Sequence, residues 1–145
     1  MMTLEQFEDK LQNSVTAQRL GIKNEIPEKY GDRIIELYRS YVNISNLFII
    51  GLSNKIYIIS GYRCAELNKA IGGVSSSKHC QCKAFDFAFS SVISKSDFMR
   101  VYEQFQINVV KYLTTVGLSR KEALTQFLKH FIAHPDRLFI HFQRS

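Results

Sequence analysis

The chain has 145 residues, 46% hydrophobic and 12% aromatic, enough for one compact domain with its own core and too few for a second. Its formal charge of +6 is scattered, with no block of five or more like charges and none of the compact nucleic-acid motifs, so charge alone names no partner. No run of about 18 apolar residues occurs, and residues 1–6 are not a basic stretch leading into an apolar one, which argues against a membrane span or an export signal.

Thr3 and Gln6 form a capping-box pattern, and Leu4, Phe7 and Leu11 recur at helical spacing, which predicts a first helix to about Asn13. Residues 14–22 read as a turn and a short segment. Pro27 marks a helix start, and Ile34, Ile35, Leu37, Tyr38, Tyr41 and Val42 give the second helix a broad apolar face that belongs to the core. Residues 55–60 are β-branched and aromatic and are stopped by Gly61, as in a short buried strand, and a chemistry-bearing loop is expected to follow. A short helix over residues 65–70 ends at Gly72-Gly73, and a polar loop leads to His79.

From Lys83 to Phe89, strand alternation puts Ala84, Asp86 and Ala88 on one face and three phenylalanines on the other. Ser94 or Ser96 caps a helix through Phe98, Val101, Tyr102 and Phe105, with apolar sequence continuing to Val116. Ser119 and Glu122 form a second capping box, opening a helix expected to run through Phe131. A strand from about Leu138 to Phe142 closes the chain. The fold expected is α+β: a single small domain, residues 1–145, with a short antiparallel sheet flanked by helices and a zinc site on the sheet. Antiparallel pairing of the last strand with the strand carrying Asp86 would bring His141 to that site.

His79, Asp86 and His141 are residues of the types that hold a zinc ion with one coordination position open. Against this stands a closed structural site of His79 with Cys64, Cys80 and Cys82, which lacks the paired Cys-x-x-Cys spacing such sites use. Three clustered cysteines make no disulfide framework and read as reduced thiols. The bland alternatives are a structural histidine near the end of the sequence and an aspartate that only caps a turn.

Ser60-Gly61-Tyr62-Arg63, Glu66-Leu67-Asn68, Gly72-Gly73, Ser77-Lys78-His79 and Ala84-Phe85-Asp86, in order and spacing, resemble the M15 zinc peptidases of the D-alanyl-D-alanine carboxypeptidase type. Residues 16–24 resemble the N-terminal pattern of the compact, often phage-encoded branch, and Phe139-Ile140-His141 its closing element. The resemblance covers most of residues 14–90 and then 138–142, with no alignment between. It implies Zn2+ held by His79, Asp86 and His141, with Arg63 beside it to bind a substrate carboxylate or steady an oxyanion. Ser77 is expected to touch substrate or to hydrogen-bond the turn that aims His79.

The substrate so implied is the peptide stem of bacterial peptidoglycan, cut at a terminal D-Ala-D-Ala bond or within the stem, by a monomeric chain with no membrane or nucleic-acid partner. A protein of this kind made in the cytoplasm without a signal peptide would meet the wall from a virion or at lysis. The resemblance also implies an acidic general base, often three positions before the final histidine, where this chain has Leu138. Asp136 is the nearest carboxylate and the expected catalytic base, with His134 as the alternative. Cys82 stands where the family usually carries glycine. These two departures leave a second reading: a fold kept as a zinc- or wall-peptide-binding module without hydrolysis.

Overall fold

The computed structural model describes residues 1–145 and forms one α+β domain whose four-stranded sheet carries the candidate site. The Thr3/Gln6 capping box starts α1 (Leu4–Gln12), which buries Phe7 and Leu11. Ser14 then caps a second helix, α2 (Val15–Leu20), stopped by left-handed Gly21, where the sequence reads only as a turn and a short segment. Pro27 opens a single 3-10 turn (Glu28–Tyr30) that feeds α3 (Gly31–Asn43), whose Ile34, Leu37 and Tyr41 face the core as its periodicity predicts. One π turn (Ile44–Phe48) ends this run.

The strands are β1 (Ile56–Ser60), β2 (Ala84–Phe89), β3 (Phe131–His134) and β4 (Phe139–Gln143), in the spatial order β1-β2-β4-β3 with every neighbour antiparallel. Three helices fill the connections: α4 (Ala65–Ala70), α5 (Lys95–Thr115) and α6 (Arg120–His130). The helix expected to run through Phe131 stops at His130 instead, because Phe131 pairs with Phe142 as the first residue of β3.

Alternation divides the sheet into a core face and an open face. Phe85, Phe87, Phe89, Ile140 and Phe142 lie on the core face and are buried with Phe7, Leu37, Phe98, Phe105 and Phe127. Eleven phenylalanines in 145 residues make this an aromatic core: Phe105 lies 5.2–6.1 Å, ring to ring, from Phe48, Phe87, Phe89, Phe127 and Phe131, several of them edge to face. On the open face, Asp86 of β2 sits opposite His141 of β4 and opposite Ser60 of β1, the latter across a β-bulge between Ile58 and Ser60. Bulges re-aim side chains beside functional sites.

Candidate metal centre

His79, Asp86 and His141 converge on the open face, their ligand atoms all within 4.8 Å of one another. Asp86 Oδ1 lies 3.2 Å from His79 Nε2 and 2.9 Å from His141 Nδ1. The outer nitrogen of each ring is already committed. His79 Nδ1 donates to the Gly61 carbonyl at 2.7 Å, and a carbonyl can only accept, so a neutral ring carries its proton there. His141 Nε2 meets Gln143 Oε1 at 3.0 Å, while the amide nitrogen of Gln143 is turned to the Lys129 carbonyl. The inner nitrogens of the neutral rings therefore point lone pairs at a carboxylate oxygen.

Acceptors facing acceptors at 2.9–3.2 Å require a proton or a cation between them. The separations match atoms sharing one ion at about 2.0–2.2 Å, and two imidazoles with one carboxylate are a zinc donor set. The backbone carbonyl and side-chain amide behind the histidines are the supports that orient such ligands. With a proton rather than a cation in that gap the imidazoles donate to Asp86: burial works to raise its pKa, yet hydrogen bonds from His141 and His79 outweigh it and hold the carboxyl down to about 2.

The loops that deliver these side chains are built on close approaches. Gly61 passes so near the end of α1 that a Cβ there would lie 2.6 Å from Leu11 Cα, and the next amide, Tyr62 N–H, donates to Leu11 O at 2.7 Å. Gly73 has the same role beside α4, where a Cβ would overlap the buried Asn68 side chain, whose Nδ2 holds the Val74 carbonyl at 2.8 Å. Asn24 ties the N-terminal segment to this loop: its Nδ2 donates to Gln12 O and Tyr62 O, and its Oδ1 accepts from Cys64 N–H. Arg33, packed over Tyr30 at 4.5 Å, donates to the Gln81 carbonyl in the turn after His79.

Ser77 Oγ accepts from both Arg63 (3.0 Å) and the His79 N–H (3.3 Å), coupling the arginine to the ligand loop. Arg63 Nε is buried without a partner, so this guanidinium keeps donor capacity beside the cleft that holds the three side chains. The cleft itself holds about 530 Å³ and is lined by Arg63, Lys78 and Arg137 with Asp86 as its lone acid. Such a lining attracts an anionic substrate.

Two further sequence readings meet the geometry differently. Asp136 sits in the β3–β4 turn, exposed and paired with Lys95 Nζ at 2.9 Å, and is not among the cleft residues. His134, the alternative, lines the cleft; it lies opposite Phe139 in register and stacks on that ring at 4.5 Å, two positions from His141 along β4. Nor do the cysteines gather around His79: the one cluster of metal-ligating side chains is His79, Asp86 and His141. Cys82 adopts φ +52°, the left-handed backbone that explains a glycine preference, and its side chain turns into the aromatic core. Burial pushes its thiol up to about 11.

Nothing along the sequence marks Arg33 as a site support, because it acts on a residue distant in sequence; Asn24 does too but closes the N-terminal pattern, and Gln143 lies two residues from His141 on the same face of β4, where strand alternation is its signal.

Two histidines and an aspartate lining an open cleft define a protein with a site that could hold a metal ion. Residues 5–122 match the family described as Peptidase M15, and the chain belongs to that family, whose members are zinc-dependent metallopeptidases. The match ends before His141, which the β2–β4 register carries to Asp86. No curated protein and no solved structure matches the chain.

Proposed function

We propose that the protein is a zinc peptidase of bacterial peptidoglycan stem peptides, with His79, Asp86 and His141 as its metal ligands. The observation that carries this is the convergence of two imidazole lone pairs and one carboxylate in a cationic cleft, an arrangement that only a proton or a cation relieves. Zinc bound there would supply Lewis acidity to a water and to the amide carbonyl. The chain's own groups do the rest. Arg63, free at Nε and lining the cleft, would hold a substrate carboxylate or the oxyanion that develops at the cleaved carbonyl. Ser77, which also lines the cleft, positions that guanidinium.

Proton transfer falls to His134 in place of Asp136. A residue diagonal to His141 on the neighbouring strand is about 7–8 Å away, close enough to act through one water. Asp136 is drawn outward to Lys95.

A specific observation also favours the second reading, a zinc- or peptide-binding module without turnover: Asp86, the lone acid in the cleft, is itself a ligand, which leaves no carboxylate to act as base. Incubating the zinc-loaded chain with purified peptidoglycan and with a stem pentapeptide ending in D-Ala-D-Ala separates the two. Release of D-alanine or of cut stems, abolished by chelator and restored by zinc, supports the enzyme. Peptide binding with no cleavage supports the module. The position of the cut decides between carboxypeptidase and endopeptidase.

A further inference from the structure

The outer side of β1 is unpaired. This strand is the edge of the sheet, and no hydrogen bond outside the β1–β2 ladder reaches the backbone of Ile56–Ser60. An antiparallel strand turns alternate N–H and C=O groups away from its partner, so a row of donors and acceptors faces outward here. A groove of about 540 Å³ runs along this edge between the start of α2 and α4. Its exposed walls are apolar: Val15 is 76% exposed, Tyr57 51%, Ile59 45% and Ile71 45%. Natural proteins blunt free edges with charge or proline, and β1 carries neither between Ile56 and Ser60.

We infer that this groove takes an extended, carboxylate-bearing peptide as an added strand, and that this peptide is the part of the substrate remote from the scissile bond. The inference rests on the peptidase reading above. Two observations select this occupant. Arg63 lines both the groove and the cleft, so the two adjoin at its side chain. Lys10 and Arg63 are the only charged groups of the groove and both are cationic, which suits a peptide carboxylate and disfavours a basic partner. Main-chain pairing to the free edge would supply affinity, and the apolar walls would supply selectivity.

The register also sets which residues the groove reads. Ser60 lies opposite Asp86, so a strand added outside β1 runs two strand spacings, about 10 Å, from the ligand strand. An extended chain advances about 3.3 Å per residue, so about three residues cross the sheet between the cleaved bond and the edge before the chain pairs along β1. Long substrates engage it and a dipeptide does not.

The test is the double variant V15E/I71E, two exposed sites outside the cleft whose added carboxylates oppose the peptide's. Two probes are used: the stem pentapeptide ending in D-Ala-D-Ala and N-acetyl-D-Ala-D-Ala. The expected result is a loss of about tenfold or more in kcat/KM for the pentapeptide with the dipeptide unchanged, since like charges facing each other across an interface are strongly disfavoured. Separately, titrating the pentapeptide into the metal-free native chain shifts the backbone amide resonances of residues 56–60, and in the variant it does not. Equal losses on both substrates, no loss on either, or amide shifts confined to Arg63 and the ligand loop would overturn the inference. If neither substrate is cut by the native chain, the peptidase reading fails, and the amide titration still decides the groove.

Discussion

Replacing Gly61 with alanine tests whether the approach of the β1–α4 loop to α1 sets the metal ligand behind it. The new Cβ would stand 2.6 Å from Leu11 Cα and 2.7 Å from Leu11 O, and must retreat to the 3.4 Å of ordinary contact, a shift of about 0.8 Å. The two nearest atoms are backbone, so swinging the Leu11 side chain away does not relieve the contact. A shift of that size stretches the 2.7 Å Tyr62–Leu11 hydrogen bond to about 3.5 Å, beyond useful range. Overpacking at about 1–3 kcal/mol, with about 1 kcal/mol for the lost bond, gives a destabilisation of roughly 2–4 kcal/mol. For a chain of this size that lowers Tm by about 10 °C.

The same shift moves the Gly61 carbonyl that fixes His79, and loss of such a support weakens metal binding by about 10–100-fold. Thermal unfolding by circular dichroism and zinc titration by calorimetry measure the two effects, with Gly31→Ala as control, since nothing lies within 4 Å of a Cβ at Gly31. A Gly61→Ala protein that melts within about 2 °C of the native chain and keeps its zinc affinity would refute the reasoning.

Stability of the metal-free protein depends on acid through Asp86. Its folded pKa of about 2 lies below the ordinary 3.8, so the stabilisation is complete above about pH 4 and is lost as pH falls toward 2; denaturant titrations across that window lose on the order of 2 kcal/mol, and Asp86→Asn flattens the loss. His134→Ala lowers kcat by about 10²-fold or more, whereas Asp136→Asn leaves steady-state turnover within about twofold and, its ion pair being exposed, changes stability by less than about 1 kcal/mol; the reverse ranking would restore Asp136 as the base. Timed alkylation followed by mass spectrometry labels the half-buried Cys64 and Cys80 before Cys82, whose thiol is buried and protonated, and labelling of Cys82 first would contradict its place in the core.

Residues with local causes were legible in the sequence. Both capping boxes form as the spacing predicts, and the alternation from Ala84 to Phe89 sorts Asp86 away from the phenylalanines. β3 was not legible, because Phe131 continues the helical spacing of Phe127, and only pairing with Phe142 across the sheet turns those four residues into a strand. That short strand then decides what lies near the site: it ends with His134 in the cleft and leaves Asp136 in a turn beside Lys95. Spacing along the chain could not separate two candidates only two residues apart; the hairpin puts one side chain in the cleft and the other outside it.

The central claim is that His79, Asp86 and His141 form one metal centre, and calorimetric titration of zinc into the metal-free chain tests it most directly. The account predicts one ion per chain, lost or weakened by at least about 10²-fold in His141→Ala and unchanged in Cys80→Ser. Tight binding that survives His141→Ala, or that disappears with Cys80, would contradict it.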